Sequence, residues 1–271
     1  MGTDRVMQLM GVPRRLHCFV YGFEPIPESL SVRGGDAATF LLEPVTGVAV
    51  EYDAGWVLLD TGFNVDVVRD PVQRAAHYNY ESYTAIVPPG DPLVDQVAAA
   101  GLRWPDLAFC AISHLHCDHS GGLRLMVDGP PVVLQQREHD FAMDEAGLEH
   151  AYFRTDYQRP GLQYRLVDGD VELAPGLRAL ATYGHTPGHM SFTVDLPQSG
   201  TVVLAGDAAD LRRNITEPVA CGTTTHPALE DAADGAARLL HELDGRAGTQ
   251  VWPSHDPDFW ASRRRPPEFY G

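Results

Sequence analysis

Apolar residues in the first sixty positions fall in short runs separated by turn residues, a strand-like pattern. Val48-Ala49-Val50-Glu51-Tyr52 and Trp56-Val57-Leu58-Leu59 flank Asp53-Ala54-Gly55 and predict a hairpin. Residues 91–100 turn helical, with Pro92 in the first turn and Gly101 as the stop. A continuous apolar run over 107–113 predicts a buried strand, and 131–143 reads as another strand followed by a helix. Residues 164–207 read as hairpins turning at 167–170 and 197–200. The longest helix is expected over 227–243, where Leu229, Ala232, Ala233, Ala236, Leu240 and Leu243 recur at three- and four-residue steps. Thr225 is its expected cap and Gly245 its stop. A last strand covers 249–252. Residues 66–90 lack a period and are expected to form a long loop overhanging a site. The order, β-rich then β/α, twice over, predicts a single α/β domain across 1–271. Each half would be a sheet with helices on its outer face, the two packed sheet against sheet.

Composition removes several alternatives. The 271 residues carry 20 Lys+Arg, every one an arginine, against 37 Asp+Glu, a formal charge of −17. Without lysine, Schiff-base chemistry and phosphate-binding lysine loops are excluded. The acidic balance argues against a nucleic-acid partner. Arg263-Arg264-Arg265 reads as a solvated tail. No apolar run has the length of a membrane span, and 1–20 lack a signal-like stretch. Cys18, Cys110, Cys117 and Cys221 show no CxxC spacing and read as reduced thiols of a cytoplasmic protein.

Chemistry concentrates in His114-Leu115-His116-Cys117-Asp118-His119, followed by Ser120-Gly121-Gly122. Positions i and i+2 leaving a strand point the same way, so His114 and His116 can hold one cation between them. Asp118 and His119, on the turn beyond, can face a second. Imidazole and carboxylate suit zinc, with manganese, iron or cobalt as alternatives. His189, Asp207 and His255 stand where strands are expected to end and complete a candidate ligand set.

With Leu59-Asp60-Thr61-Gly62, Thr186-Pro187-Gly188-His189, Gly206-Asp207 and Ser254-His255-Asp256, the sequence resembles the metallo-β-lactamase-fold hydrolases from about residue 40 to 256. The resemblance implies an αββα sandwich of two mixed sheets with a two-zinc site where they meet. It gives His114, His116 and His189 to one metal, and Asp118, His119 and His255 to the other, with Asp207 bridging. His185 matches no ligand position and reads as an orienting or packing residue; Asp60 reads as an orienter. Asp-Thr-Gly is also the aspartic-protease signature, but one copy in a chain this long does not supply two facing carboxylates.

Within the superfamily, the Thr-Pro-Gly-His-Met-Ser phrase and Asp207-Ala208-Ala209 resemble the N-acyl homoserine lactonases. That implies opening of a lactone or related ester by a hydroxide shared between the two metals, with Asp118 orienting it and shuttling its proton. The implied partner is a small-molecule lactone or ester, and the chain a monomer or homodimer. A thioester hydrolase of glyoxalase II type is the alternative, and an iron dioxygenase a non-hydrolytic one. The sequence departs from the lactonases at Asp210, where they place a tyrosine that contacts substrate. An aspartate there donates a proton only if burial raises its pKa; Tyr78 or Tyr80 of the overhanging loop is a candidate substitute. Phe19, Phe23, Phe63, Tyr78, Tyr80, Phe141 and Tyr152 are candidate pocket walls.

Overall fold

The chain was analysed as a computed structural model that describes residues 9–78, 84–144 and 151–271. The first sheet has six strands in sequence order: β1 (Arg15–Pro27), β2 (Phe40–Glu51), β3 (Trp56–Leu59), β4 (Leu107–Ala111), β5 (Val132–Gln135) and β6 (Tyr164–Val167). β1, β2 and β3 pair antiparallel, and β3 to β6 pair parallel. The second sheet has β7 (Val171–Ala174), β8 (Leu177–Ala181), β9 (Met190–Leu196), β10 (Gly200–Leu204) and β11 (Thr249–Trp252), in the order β11-β10-β9-β8-β7. Its pairs are antiparallel except β10 with β11.

The period-2 pattern explains the layers. All four residues of β3 are buried, but Val57 and Leu59 enter the core shared with the second sheet. Trp56 and Leu58 enter the core under the helices on the other face. Fully burying such a side chain contributes about 1.5–3 kcal/mol. On β10, Val202 and Leu204 meet the first sheet, whereas Val203 packs against Ala236 and Leu240 of the helix Glu230–Asp244. Helix, sheet, sheet, helix is the predicted αββα sandwich.

Four expectations need correction. β6 pairs with β5, so the 167–170 turn carries the chain from one sheet to the other and closes no hairpin. The long helix begins as a 3-10 turn over Pro227–Leu229, and the ring of His226, not Thr225, accepts from Ala228 N at 3.1 Å. Within 66–90, helices form at Val65–Arg69 and Pro71–His77, capped by Asn64 and Asp70. Those caps, with Pro71 at the first turn, are local signals that outweigh the missing period. Between residues 15 and 51 two long strands form, of 13 and 12 residues, where short runs were expected; the short β3 follows as the second arm of the expected hairpin. All four cysteines are buried, and none forms a disulfide. No helix among the described residues is long and apolar enough to cross a membrane.

Candidate metal centre

The chemistry-bearing side chains gather at strand ends. β4 runs through Ile112 and Ser113 into His114 and His116, and His116 precedes the four-residue helix Cys117–Ser120 that carries Asp118 and His119. A Cβ on Gly121 would lie 1.9 Å from Asn64 N, so only glycine lets this turn close against residues 61–64. Asp207 follows β10, His255 follows β11, and His185 lies in the β8–β9 connection.

Two groups of four donors converge, each within 4.8 Å: His114, His116, His185 and Asp207, and Asp118, His119, Asp207 and His255. Asp207 serves both. Its Oδ2 lies 3.5 Å from His114 Nε2 and 3.5 Å from His185 Nε2. Its Oδ1 lies 3.1 Å from His119 Nε2 and 3.0 Å from His255 Nε2. The far ring nitrogens fix the near ones. His119 Nδ1 meets Asp60 Oδ2 at 3.0 Å, His255 Nδ1 meets Pro44 O at 2.9 Å, and His185 Nδ1 meets Thr223 O at 3.2 Å. A proton on each Nδ1, donated outward, leaves each Nε2 lone pair aimed at the centre. Asp60 is itself locked, accepting from Ser113 N at 2.7 Å and holding φ at +58°.

The site is built for cations. Burial opposes charge on His119 and His255, yet carboxylates hold both well above the usual imidazole value, Asp118 and Asp207 foremost for His119 and Asp207 foremost for His255. Burial pushes His114 and His116 well below it. Burial would raise Asp207, but His119, His255 and His114 pull it well below the carboxylate range. The Nε2 atoms of His114 and His119 are buried without a hydrogen-bond partner. Imidazoles that give up the near-nitrogen proton to an entering cation, with ionised carboxylates, form the donor set a zinc-like ion takes, so the residues fit two such ions.

Six of the seven expected ligands, His114, His116, Asp118, His119, Asp207 and His255, meet in these groups; His189 does not. Its Nδ1 is held by Thr182 Oγ1 at 2.9 Å and Thr182 O at 3.1 Å. Its Nε2 presses on Gly206, where a Cβ would come within 2.6 Å. Burial first, then His185, lowers its pKa to about 3. His185, expected only to orient or pack, takes its place among the donors. Both histidines lie in one turn, Gly184-His185-Thr186-Pro187-Gly188-His189, and spacing alone does not separate them.

The two groups open into a cavity of about 410 Å³. None of the six described among the seven expected aromatics lines it; Ile26, Leu30, Ala151 and Thr223 to Thr225 do, together with Glu24, Glu43 and Asp210. Tyr78 is buried between Phe63 and Phe153, with ring centroids at 6.3 and 5.2 Å, and does not reach the cavity. Tyr80 lies outside the described residues. Tyr152 packs on the His116 ring and donates to Glu138 Oε1 at 2.6 Å. Burial, then Asp207, Glu43 and Glu24, push Asp210 well above the carboxylate range against the pull of His255. Burial raises Glu43 to about 7 against His255 and the Ser31 hydroxyl. Neither Glu24 nor Glu43 carried a sequence signal.

This fold with this donor set defines a metal-dependent hydrolase. The metallo-β-lactamase superfamily model matches residues 42–255, and the chain belongs to that superfamily. N-acyl homoserine lactonase AttM of Azorhizobium caulinodans is 30% identical over 253 residues, covering 89% of this chain and 92% of the relative. N-acyl homoserine lactonase AiiA of Bacillus thuringiensis subsp. kurstaki is 30% identical over 176 residues, covering 65% and 68%. A solved N-acyl homoserine lactone hydrolase, with N-hexanoyl-L-homoserine at its catalytic metal centre, superposes with a TM-score of 0.83 at 26% identity. It covers 96% of this chain and 100% of its own.

Proposed function

We propose that this chain is a two-zinc lactonase. His114, His116, His185 and Asp207 would hold one ion, and Asp118, His119, Asp207 and His255 the other. The carrying observation is that the two oxygens of Asp207 face different donor groups, which suits a carboxylate shared between two ions. When bound, the ions would polarise a carbonyl and make water acidic near neutral pH. The protein's own groups do the rest. Asp60, Pro44 and Thr223 fix the imidazoles. Asp118, whose Oδ2 lies 3.0 Å from His119 Nε2, would orient the attacking water and pass its proton to the leaving oxygen. Lactonase relatives over nine-tenths of the chain support the substrate class.

Metal analysis and a lactone panel test this. The panel is γ-butyrolactone, homoserine lactone and N-hexanoyl homoserine lactone. Purified protein should carry two equivalents of zinc and open at least one lactone, with activity lost on chelation and restored by zinc. H185A should lose about one equivalent, whereas H189Q should keep both. A protein with two metals that hydrolyses a glutathione thioester and none of the lactones would replace the lactone reading. H189Q losing an equivalent while H185A keeps both would return His189 to the ligand set.

A further inference from the structure

The cavity has an anionic wall that the metal groups do not use. Glu24 and Glu43 are directly opposed register partners on β1 and β2, 5% and 1% exposed, and both line the cavity. Like charges opposed across a strand pair are destabilising, more so out of water. Asp210, 7% exposed, joins them from the loop after β10. Its Oδ1 is buried and accepts no hydrogen bond. It belongs to none of the converging donor groups, so the ions held there do not partner it. Ser31 Oγ donates to Glu43 Oε1 at 2.6 Å, which leaves that carboxylate's charge uncancelled.

A third metal ion does not suit this wall. Glu24 and Glu43 converge with His255, but His255 Nδ1, the nitrogen nearest Glu24, is engaged at 2.9 Å with Pro44 O. The charge balance points the same way as the geometry. Five of the cavity's lining side chains are carboxylates, and three of them, Glu24, Glu43 and Asp210, stand outside the two donor groups that share Asp207.

From the opposed Glu24–Glu43 pair, the unpartnered Asp210 and their shared cavity, we infer that the substrate carries an ammonium group close to its scissile carbonyl, seated against these three carboxylates. The substrate class is then an amino-lactone or amino-ester, in which an organic cation supplies the missing countercharge and donates hydrogen bonds to Asp210. Ile26 and Leu30 leave one side of the cavity apolar, enough for a short hydrocarbon frame. The inference rests on the hydrolase reading for its reaction but not for its binding.

Two measurements separate them. In the metal-loaded protein, kcat/KM for homoserine lactone, at a pH where its amine is protonated, is compared with that for uncharged N-hexanoyl homoserine lactone. Calorimetry compares n-butylammonium with n-butanol. The expected results are at least tenfold preference for the cationic lactone, and binding of n-butylammonium only. Both should collapse in E24Q, E43Q and D210N, near-isosteric changes that relieve repulsion and should not unfold the chain. Equal or better turnover of the neutral lactone, or failure of n-butylammonium to bind, overturns the inference. So does a third equivalent of metal that disappears in E24Q or E43Q. No turnover of either lactone with n-butylammonium still bound would sink the lactone reading and keep the cation site.

Discussion

Two sets of buried carboxylates flank the metal groups, and they are provided for in opposite ways. Glu138 is fully buried yet accepts from Tyr152 Oη at 2.6 Å and Leu115 N at 3.0 Å on one oxygen. On the other it accepts from Thr186 Oγ1 at 2.6 Å and Gly188 N at 3.2 Å. Burial still raises its pKa, against the pull of all these donors. Leu115 sits between His114 and His116, and Thr186 follows His185, so one carboxylate ties together the two loops that supply the first donor group. On the opposite wall Glu24, Glu43 and Asp210 line the cavity, and the buried Oδ1 of Asp210 accepts no hydrogen bond. A buried carboxylate whose acceptor capacity is filled by the protein is scaffold; one left facing a cavity is available to something that enters it.

The comparison breaks most sharply at Glu138. Replacing it by alanine leaves four buried donors without an acceptor, at about 1–3 kcal/mol each before relaxation. E138A should therefore lose about 4 kcal/mol in urea unfolding and bind zinc more weakly, because both loops are freed. A loss under about 1 kcal/mol with zinc affinity intact would show that the network is incidental. E138Q, which keeps one acceptor but sets an amide N–H against two donors, should fall between.

Asp156 lies between the extremes. It is fully buried, Asn64 Nδ2 donates to its Oδ1 at 2.6 Å, and its Oδ2 has no partner. Burial raises its pKa to about 6 against the pull of Asn64 and Arg159. The folded state therefore holds this proton to higher pH than the unfolded chain. Stability attributable to Asp156 is present at pH 4 and lost as pH rises towards 6, by roughly 3 kcal/mol. D156N keeps the acceptor for Asn64 and carries no proton to lose. Its stability should be flatter over that window, measured as Tm against pH; a profile parallel to the parent's would discard the assignment.

How much of this was legible beforehand follows from the range of the signals. His114, His116, Asp118 and His119 were readable because local geometry places residues two apart on one side of a strand, and a turn brings the rest round. Asp207 and His255 were readable because each ends an apolar run. His185 was not separable from His189, since the choice depends on which ring meets Thr182 and Gly206 and which meets His116. Glu138 opens no motif; its meaning arises only when the loops at 115 and 186–188 close on it. The Glu24–Glu43 pair needs the register of β1 on β2, which includes an irregularity between Val20 and Gly22. A one-residue slip would turn one glutamate to the other face.

The smallest expected effect is also the one that reads the anionic wall without any ligand. In metal-free protein, Glu24 and Glu43 are opposed and buried, and Glu43 titrates near 7 because burial outweighs His255 and Ser31. Its raised pKa means that the folded state is penalised as pH climbs from the ordinary glutamate range through 7. E24Q and E43Q each remove one member of the pair while keeping its volume. Each should stabilise the metal-free chain by about 1 kcal/mol at pH 8 and by almost nothing at pH 5, where Glu43 is already neutral. This is opposite in sign to Glu138, where removing the carboxylate costs stability because four donors lose their acceptor. If either variant instead unfolds more easily at pH 8, the pair is held by donors as Glu138 is, and the wall is scaffold rather than a place for a cation.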